Sequence, residues 1–192
     1  MSGFVNKTMG SVIEETAGRF PDHPALIAPQ FQVRLNYREL YEQCRKTARG
    51  LMAMGVKRGD HVSVWTTNVP EWIYLQFALG MVGGILVTIN TNYQSHELEY
   101  ILRQSDSTTL FLIDRYRDTS FYETVRHIIP ELDSSEPGKL ASSKLPVLKN
   151  IVYIGGRESA PGMFKFSDLI AMGEKITQQE LDGRMKTLTD DD

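Results

Sequence analysis

Asn68-Val-Pro-Glu-Trp-Ile-Tyr-Leu-Gln-Phe-Ala-Leu-Gly-Met-Val-Gly-Gly-Ile-Leu-Val-Thr-Ile-Asn-Thr-Asn-Tyr93 carries the fold in four successive parts. Pro70 fits the first turn of a helix, where a missing N–H costs nothing, and Glu71 suits the positive end of the dipole. The helix is expected to run to about Val82. Gly83-Gly84 then releases the chain into a β-branched strand, Ile85 to Ile89, and an Asn-rich loop. A helix followed directly by such a strand is a unit of an α/β sheet. The glycines do not make a dinucleotide fingerprint, because that motif follows a strand and opens a helix, the reverse of this order. The apolar run Trp72 to Ile89 is short for a membrane span, and Gln76 and the glycine pair interrupt it.

Reading outward in both directions gives the same alternation. Ser11 to Phe20 is expected as a short amphipathic helix. Ala25 to Ala28 and Gln32 to Tyr37 follow as two strands of a hairpin. Arg38 to Met54 is the clearest helix, with Leu40, Cys44, Ala48 and Leu51 on one stripe and charges opposite. Gly55 stops it. His61 to Trp65 reads as a strand. After the decisive stretch, Ser95 is expected to cap a helix with Leu98, Ile101 and Leu102 on its buried side. Thr108 to Ile113 is a strand, and Tyr116 to Ile129 a helix closed by Pro130. Asp133 to Ser143 reads as a surface excursion. Asn150 to Ile154 is a further strand, Gly155 to Gly162 a loop, and Phe166 to Met172 a short helix capped by Ser167. Thr177 to Asp192 is polar. The whole predicts an α/β fold, a mainly parallel sheet with flanking helices. One domain over residues 1–192 is expected, with some apolar surface left for a further partner segment.

Composition narrows the function classes. The chain has 192 residues, 41% hydrophobic and 23% charged, with a net charge of −3. That is ordinary for a soluble protein and offers no global field for nucleic acid or an anionic membrane. Cys44 is the only cysteine, so neither an intrachain disulfide nor a thiolate metal cage is possible. This suits a reducing cytoplasm. Met1 to Gly10 lacks the basic-then-apolar pattern of a leader. His61, His96 and His127 share no metal-ligand spacing, and His23 sits in a proline-flanked turn, so no metal site is expected. Trp65 and Trp72 read as core, Cys44 as a small packed hydrophobe. Lys139, Lys144 and Lys149 read as solvated charge, and so does the acidic end Asp190-Asp191-Asp192.

Several short motifs in order carry a family resemblance. Leu35-Asn36-Tyr37-Arg38-Glu39-Leu40 resembles the first core motif of the adenylate-forming superfamily, which includes acyl-CoA synthetases, luciferases and peptide-synthetase adenylation domains. Gly59-Asp60, then Asn68-x-Pro70-Glu71, fits its next block. Ala78 to Asn90 is similar to its second core motif, and Glu97-Leu98-Glu99-Tyr100-Ile101-Leu102 with Asp114 continues the register. The match covers about Phe20 to Asp192, as an N-terminal portion of the acyl-CoA synthetase fold. Asn90-x-x-Tyr93 and the Pro137-Gly138 to Leu148 insertion resemble medium- and long-chain fatty-acid members. Thr88-Ile89-Asn90 stands where peptide-synthetase domains carry Pro-Ile/Leu-Asp, which ranks that branch lower.

The resemblance implies a reaction using ATP, Mg²⁺ and CoA on a carboxylic acid. It also implies a Ser/Thr/Gly-rich, lysine-bearing phosphate loop, and no such run occurs in this chain. The expectation is therefore a fragment of a longer polypeptide, inactive alone, with no catalytic residue and no bound cofactor of its own. Its partners would be the remainder of that polypeptide and the small-molecule substrates, with no nucleic acid and no stable membrane insertion. The residues singled out are Asn90, Thr91, Asn92 and Tyr93, at the edge of a CoA or substrate channel, since loops after parallel strands are where α/β proteins bind ligands. In some relatives a basic residue of that loop touches CoA phosphate, and Asn92 stands there without charge. Two alternatives stay open: a non-catalytic binding module of the same fold, and an aryl-CoA ligase branch.

Overall fold

The computed structural model describes residues 7–190. In chain order these form α1 (Met9–Arg19), β1 (Pro24–Ala28), β2 (Val33–Asn36), α2 (Tyr37–Met54), β3 (His61–Trp65), α3 (Pro70–Val82), β4 (Ile85–Thr88) and α4 (Ser95–Gln104). There follow β5 (Thr109–Ile113), β6 (Arg115–Tyr116), β7 (Thr119–Ser120), α5 (Phe121–Ile128), β8 (Asn150–Ile154), β9 (Phe164–Lys165), α6 (Phe166–Met172) and α7 (Gln178–Met185). Asp191, Asp192 and most of the stretch searched for a leader lie outside the described residues. No helix among the described residues is long and apolar enough to cross a membrane.

The chain divides into two compact units. The first takes the described residues up to Gly59, then Val69–Ile85, then those from Ile170 onward. Its centre is α2. The Asn36 side chain accepts from the Glu39 amide while the Glu39 carboxylate accepts from the Asn36 amide, a capping box that fixes the helix start. The stripe Leu40, Cys44, Ala48 and Leu51 is at most 3% exposed. Gly55 ends the helix at φ +96°, a left-handed turn that an L side chain resists. α3 packs along α2, and α1 crosses α3 at Gly80, where a Cβ would stand 2.6 Å from that of Met9. β1 and β2 pair antiparallel, Leu26 opposite Leu35. Arg45, nearly buried, ties α7 to α2 through Asp182 Oδ1 and Gln178 Oε1, each 2.6 Å from Nη2.

The second unit, Asp60–Asn68 and Leu86–Leu169, holds the sheet. Strand order is β4-β3-β5-β8-β9. β3 and β5 run parallel with Trp65 opposite Leu112, β5 and β8 with Ile113 opposite Ile154, and β8 and β9 with Val152 opposite Phe164. β5, Thr-Leu-Phe-Leu-Ile, is buried at every position, as a parallel strand covered on both faces must be. α5 packs on β5 and α4 on α5. The fold is thus α/β, with a mostly parallel five-stranded sheet and flanking helices.

Three local expectations need correction. Ser95 is the first residue of α4 rather than its cap; Gln94 caps it, in a reciprocal pair with Glu97. The helix expected from Tyr116 begins at Phe121. Before it, β6 and β7 form a tight hairpin, with Arg117 at φ +51°. Ser167 lies inside α6, and the Lys165 amide donates instead to Asp168 Oδ2 at 2.8 Å. The segment Asp133 to Ser143 runs mostly at the surface, held by the buried Leu140 and Ser142.

Candidate functional site

The loop after β4 is built on the carboxyl end of β3. The Ile89 amide donates to the Val64 carbonyl at 3.1 Å. Trp65 Nε1 donates to the Asn90 carbonyl at 3.0 Å. Those two bonds bring the ends of β3 and β4 level, so the loop leaves the sheet on the edge where parallel strands present ligands. Asn90 then folds the loop on itself. Its Oδ1 accepts from the Asn92 amide at 2.9 Å, and its carbonyl accepts from the Tyr93 amide at 3.1 Å. This side-chain turn commits the Asn90 Oδ1 and carbonyl to holding shape. Thr91 and Tyr93 are half-buried, whereas Asn90 and Asn92 are exposed. The Asn92 carboxamide is exposed and makes no hydrogen bond among the described residues, so it is open to a ligand.

Trp65 anchors this arrangement from below. It is fully buried and stacks on Phe121 with ring centroids 3.7 Å apart and planes 7° from parallel. The sequence reading of Trp65 as core is right, but its indole N–H also positions the loop, a link no local sequence pattern reveals. Trp72, by contrast, is only half-buried.

Next along the same edge stands the β6–β7 hairpin. Gln94 Nε2 reaches Thr119 Oγ1 at 3.4 Å, and the Tyr122 amide donates to the Asp114 carbonyl at 3.2 Å. Beyond it, Asp114 at the end of β5 accepts hydrogen bonds from Arg157 Nε and, at 3.2 Å, from the Tyr153 hydroxyl. The Arg157 guanidinium lies 4.1 Å from the centre of the Tyr122 ring, a cation–π contact. Burial, then the Asp114 charge, push the Tyr153 hydroxyl above its usual range. The hydrogen bond to Asp114 raises Arg157 further, so it stays charged at any working pH. The sequence reading used Asp114 only as a marker of register. An acid directly after the apolar run Leu110–Ile113 was the signal that marks it as a strand-end group.

The groups gathered here are carboxamides, hydroxyls, guanidinia and one paired carboxylate. They can hold and orient an anionic or polar ligand. Among the described residues no His side chain bonds a Ser, Thr or Cys, and no three of His, Cys, Asp or Glu are grouped as metal ligands. Cys44 is buried in α2, and burial pushes its thiol up to about 12. A cavity of about 310 Å³, lined by Leu102, Arg103, Lys144 and Leu145 among others, lies at the opposite edge, before β5 and β8 begin.

Known proteins place this architecture in a family. Residues 13–164 match the AMP-binding enzyme model. The chain is 42% identical over 191 residues to the Bacillus subtilis (strain 168) protein YngI, an acyl-CoA synthetase by name, covering 100% of this chain and 35% of that one. It is 35% identical over 174 residues to a mitochondrial medium-chain acyl-CoA ligase of Mus musculus, covering 91% of this chain and 28% of the ligase. A solved Rhodopseudomonas palustris structure, named for a long-chain-fatty-acid CoA ligase, superposes with a TM-score of 0.68 at 26% identity, over 85% of this chain and 36% of that one. Acetoacetyl-CoA synthetase from Streptomyces lividans, 24% identical over 86% of this chain and 25% of its own, shares the fold with a TM-score of 0.68. The chain spans about a third of the length of the curated relatives it matches. With the match running through both strand-end loops and most of the core, the chain belongs to the AMP-binding enzyme family.

Proposed function

We propose that this chain is the N-terminal part of an ATP-dependent acid–CoA ligase acting on a medium- or long-chain fatty acid. The observation that carries the reading is the 35% identity, over 174 residues, to a medium-chain acyl-CoA ligase. In the proposed reaction a carboxylate oxygen attacks the α-phosphorus of ATP, and pyrophosphate leaves with the acyl-adenylate formed. The CoA thiolate then attacks the acyl carbon, and AMP leaves as the thioester forms. This chain is assigned no part in binding Mg²⁺. Nor does it carry a Ser/Thr/Gly-rich phosphate loop, so the 192 residues alone are expected to form neither product.

The part assigned to this chain is a supporting wall with one working edge. The Asn90–Tyr93 loop, fixed by Trp65, borders the channel through which CoA or the acid approaches, and Asn92 offers its carboxamide there. The polypeptide at the length of its relatives, given ATP, CoA and fatty acids of graded chain length, should release AMP and acyl-CoA in equal amounts. Failure with every fatty acid alongside turnover of an aryl acid would move the protein to the aryl-CoA branch. Asn92→Ala in that polypeptide should raise the CoA KM severalfold; an unchanged value removes Asn92 from the channel.

A further inference from the structure

Hydrogen bonds, more than apolar burial, fasten α7 to its unit. Of its eight residues, Gln178–Met185, only Leu181 is fully buried. The side facing α2 is met by Arg45, which is 7% exposed. Arg45 Nη2 donates to Gln178 Oε1 and to Asp182 Oδ1, both at 2.6 Å, and Nε donates to Gln178 Oε1 at 3.0 Å. Nη1 donates to the Tyr41 hydroxyl at 3.1 Å, so the guanidinium is itself steadied from α2. One turn further along α2, Arg49 Nη1 donates to the Ile176 carbonyl at 3.2 Å, just before the Thr177 cap of α7. α7 also touches α3, and Leu188 beyond it rests against Gly83. On another flank a cavity of about 350 Å³ lies between α7 and α1, lined by Thr8, Ser11, Glu14, Asp182, Met185 and Lys186.

The bonds from Arg45 are directional. Gln178 and Asp182 stand one turn apart on one face of α7. The planar guanidinium meets both at once, which sets the rotation of the helix as well as its distance from α2. A single buried leucine would leave the helix free to shift, and the cavity gives it room. Charge-assisted bonds from a nearly buried arginine are among the stronger ones in a protein.

We infer that Arg45 is a positioning residue for the ligase reaction: it fixes the orientation of α7, and with it the direction in which the polypeptide continues to the groups that bind and activate ATP. The inference rests on the ligase reading above, in which this chain supplies the wall and those groups lie on polypeptide that it does not contain. Arg45 touches no substrate and enters no covalent step. Its effect falls on the rate of adenylate formation, because reacting groups set about 1 Å out of place lose up to about a hundredfold in rate.

The test uses the polypeptide at relatives' length and compares wild type, R45A and R45K, each assayed well below its own melting temperature. Q178A/D182A takes the acceptors from the α7 side, leaves the α2 core intact, and should reproduce R45A. S107A, which deletes a buried hydroxyl in the other unit, is the destabilised control. Amide hydrogen exchange reads the docking of α7, and pyrophosphate exchange reads kcat and KM for adenylate formation. In R45A the amides of Leu181 and Lys186 should exchange about tenfold faster or more. Its kcat should fall about tenfold or more, with the fatty-acid KM unmoved. R45K keeps the charge but cannot span both acceptors, and should recover part of each effect. S107A should lose stability and keep its kcat. Unchanged α7 exchange in both R45A and Q178A/D182A overturns the clamp. Faster α7 exchange with a wild-type kcat, or an equal kcat loss in S107A, overturns the positioning role and leaves the ligase reading intact. Wild-type polypeptide that exchanges pyrophosphate with no carboxylic acid overturns both.

Discussion

The two edges of the sheet are made from the same strands and are finished in opposite ways. Before β5 and β8, polar groups satisfy one another. Ser63 Oγ meets Ser107 Oγ at 2.7 Å, and Ser105 Oγ meets Ser107 Oγ at the same distance. Glu99 is shared by Arg103 and Lys144 at 3.0 and 3.4 Å. Past β3, β4 and β5, the Asn92 side chain, Arg115 and Arg117 have no such partners. A cavity of about 310 Å³ opens at the first edge, where Arg103 and Lys144 in its lining share Glu99. The proposed working edge therefore differs from the other in the exposed Asn92 carboxamide and hairpin guanidinia rather than in concavity. Leaving polar groups unpaired is tolerable only in contact with water or a ligand, and the carboxyl edge is where parallel sheets receive ligands.

Removing the support of the working edge should have the largest effect. Trp65→Ala deletes a fully buried ring stacked on Phe121, for a cost of about 3–5 kcal/mol in urea denaturation. Trp65→Phe keeps most of the packing and loses the hydrogen bond to Asn90, so its smaller cost isolates the loop's tether. A loss under about 1 kcal/mol for Trp65→Ala would mean the stacked pair does not hold that edge. On the opposite edge, Ser107→Ala strands the buried Ser63 hydroxyl and should cost about 1–3 kcal/mol. A neutral result would show that the structural edge is not closed by its hydroxyl chain.

Acid should separate the edges more gently. The paired hydrogen bonds from Arg126, both 2.8 Å, hold the Asp133 carboxyl below its usual range. The Ser143 amide does the same for Glu131. A lowered folded-state pKa means the unfolded chain takes up protons first. The stabilisation is therefore present above the unfolded pKa and lost as pH falls through the folded one, in the range below about 4. The midpoint of urea denaturation should fall on acidification through that window, and Asp133→Asn should flatten the fall. An identical acid limb in the variant would assign the sensitivity elsewhere.

What the sequence made legible was whatever rested on short-range pattern. The α2 stripe, the Pro70 start, the Gly55 and Gly83 stops and the largely apolar β5 each follow from periodicity or backbone freedom, and the structure has them. The failures have two causes, a missing or ambiguous local signal and a tertiary partner outranking local preference. The hairpin at 115–120 has no glycine in its turn, so Tyr116 to Ser120 read as helix. α7 offers one buried apolar residue, Leu181, and is held by Arg45 from the far end of the chain, so it read as a polar tail. Ser95 lost its capping place because Gln94 reaches the N3 amide just as well. At the candidate site the loop was visible, because a β-branched strand running into asparagines is a local signal. The Trp65 tether, the Arg157–Asp114 pair and the hairpin arginines were not, because each depends on which strand lies beside which.

Carboxylate-dependent exchange of labelled pyrophosphate into ATP reads adenylate formation with no contribution from the thiol step. Run side by side on the 192-residue chain and on the polypeptide at relatives' length, it should be absent from the first and dependent on a fatty acid in the second. Exchange by the 192-residue chain, or none by the longer polypeptide with any carboxylic acid, would contradict the assignment of this chain as the supporting wall of an acyl-CoA ligase.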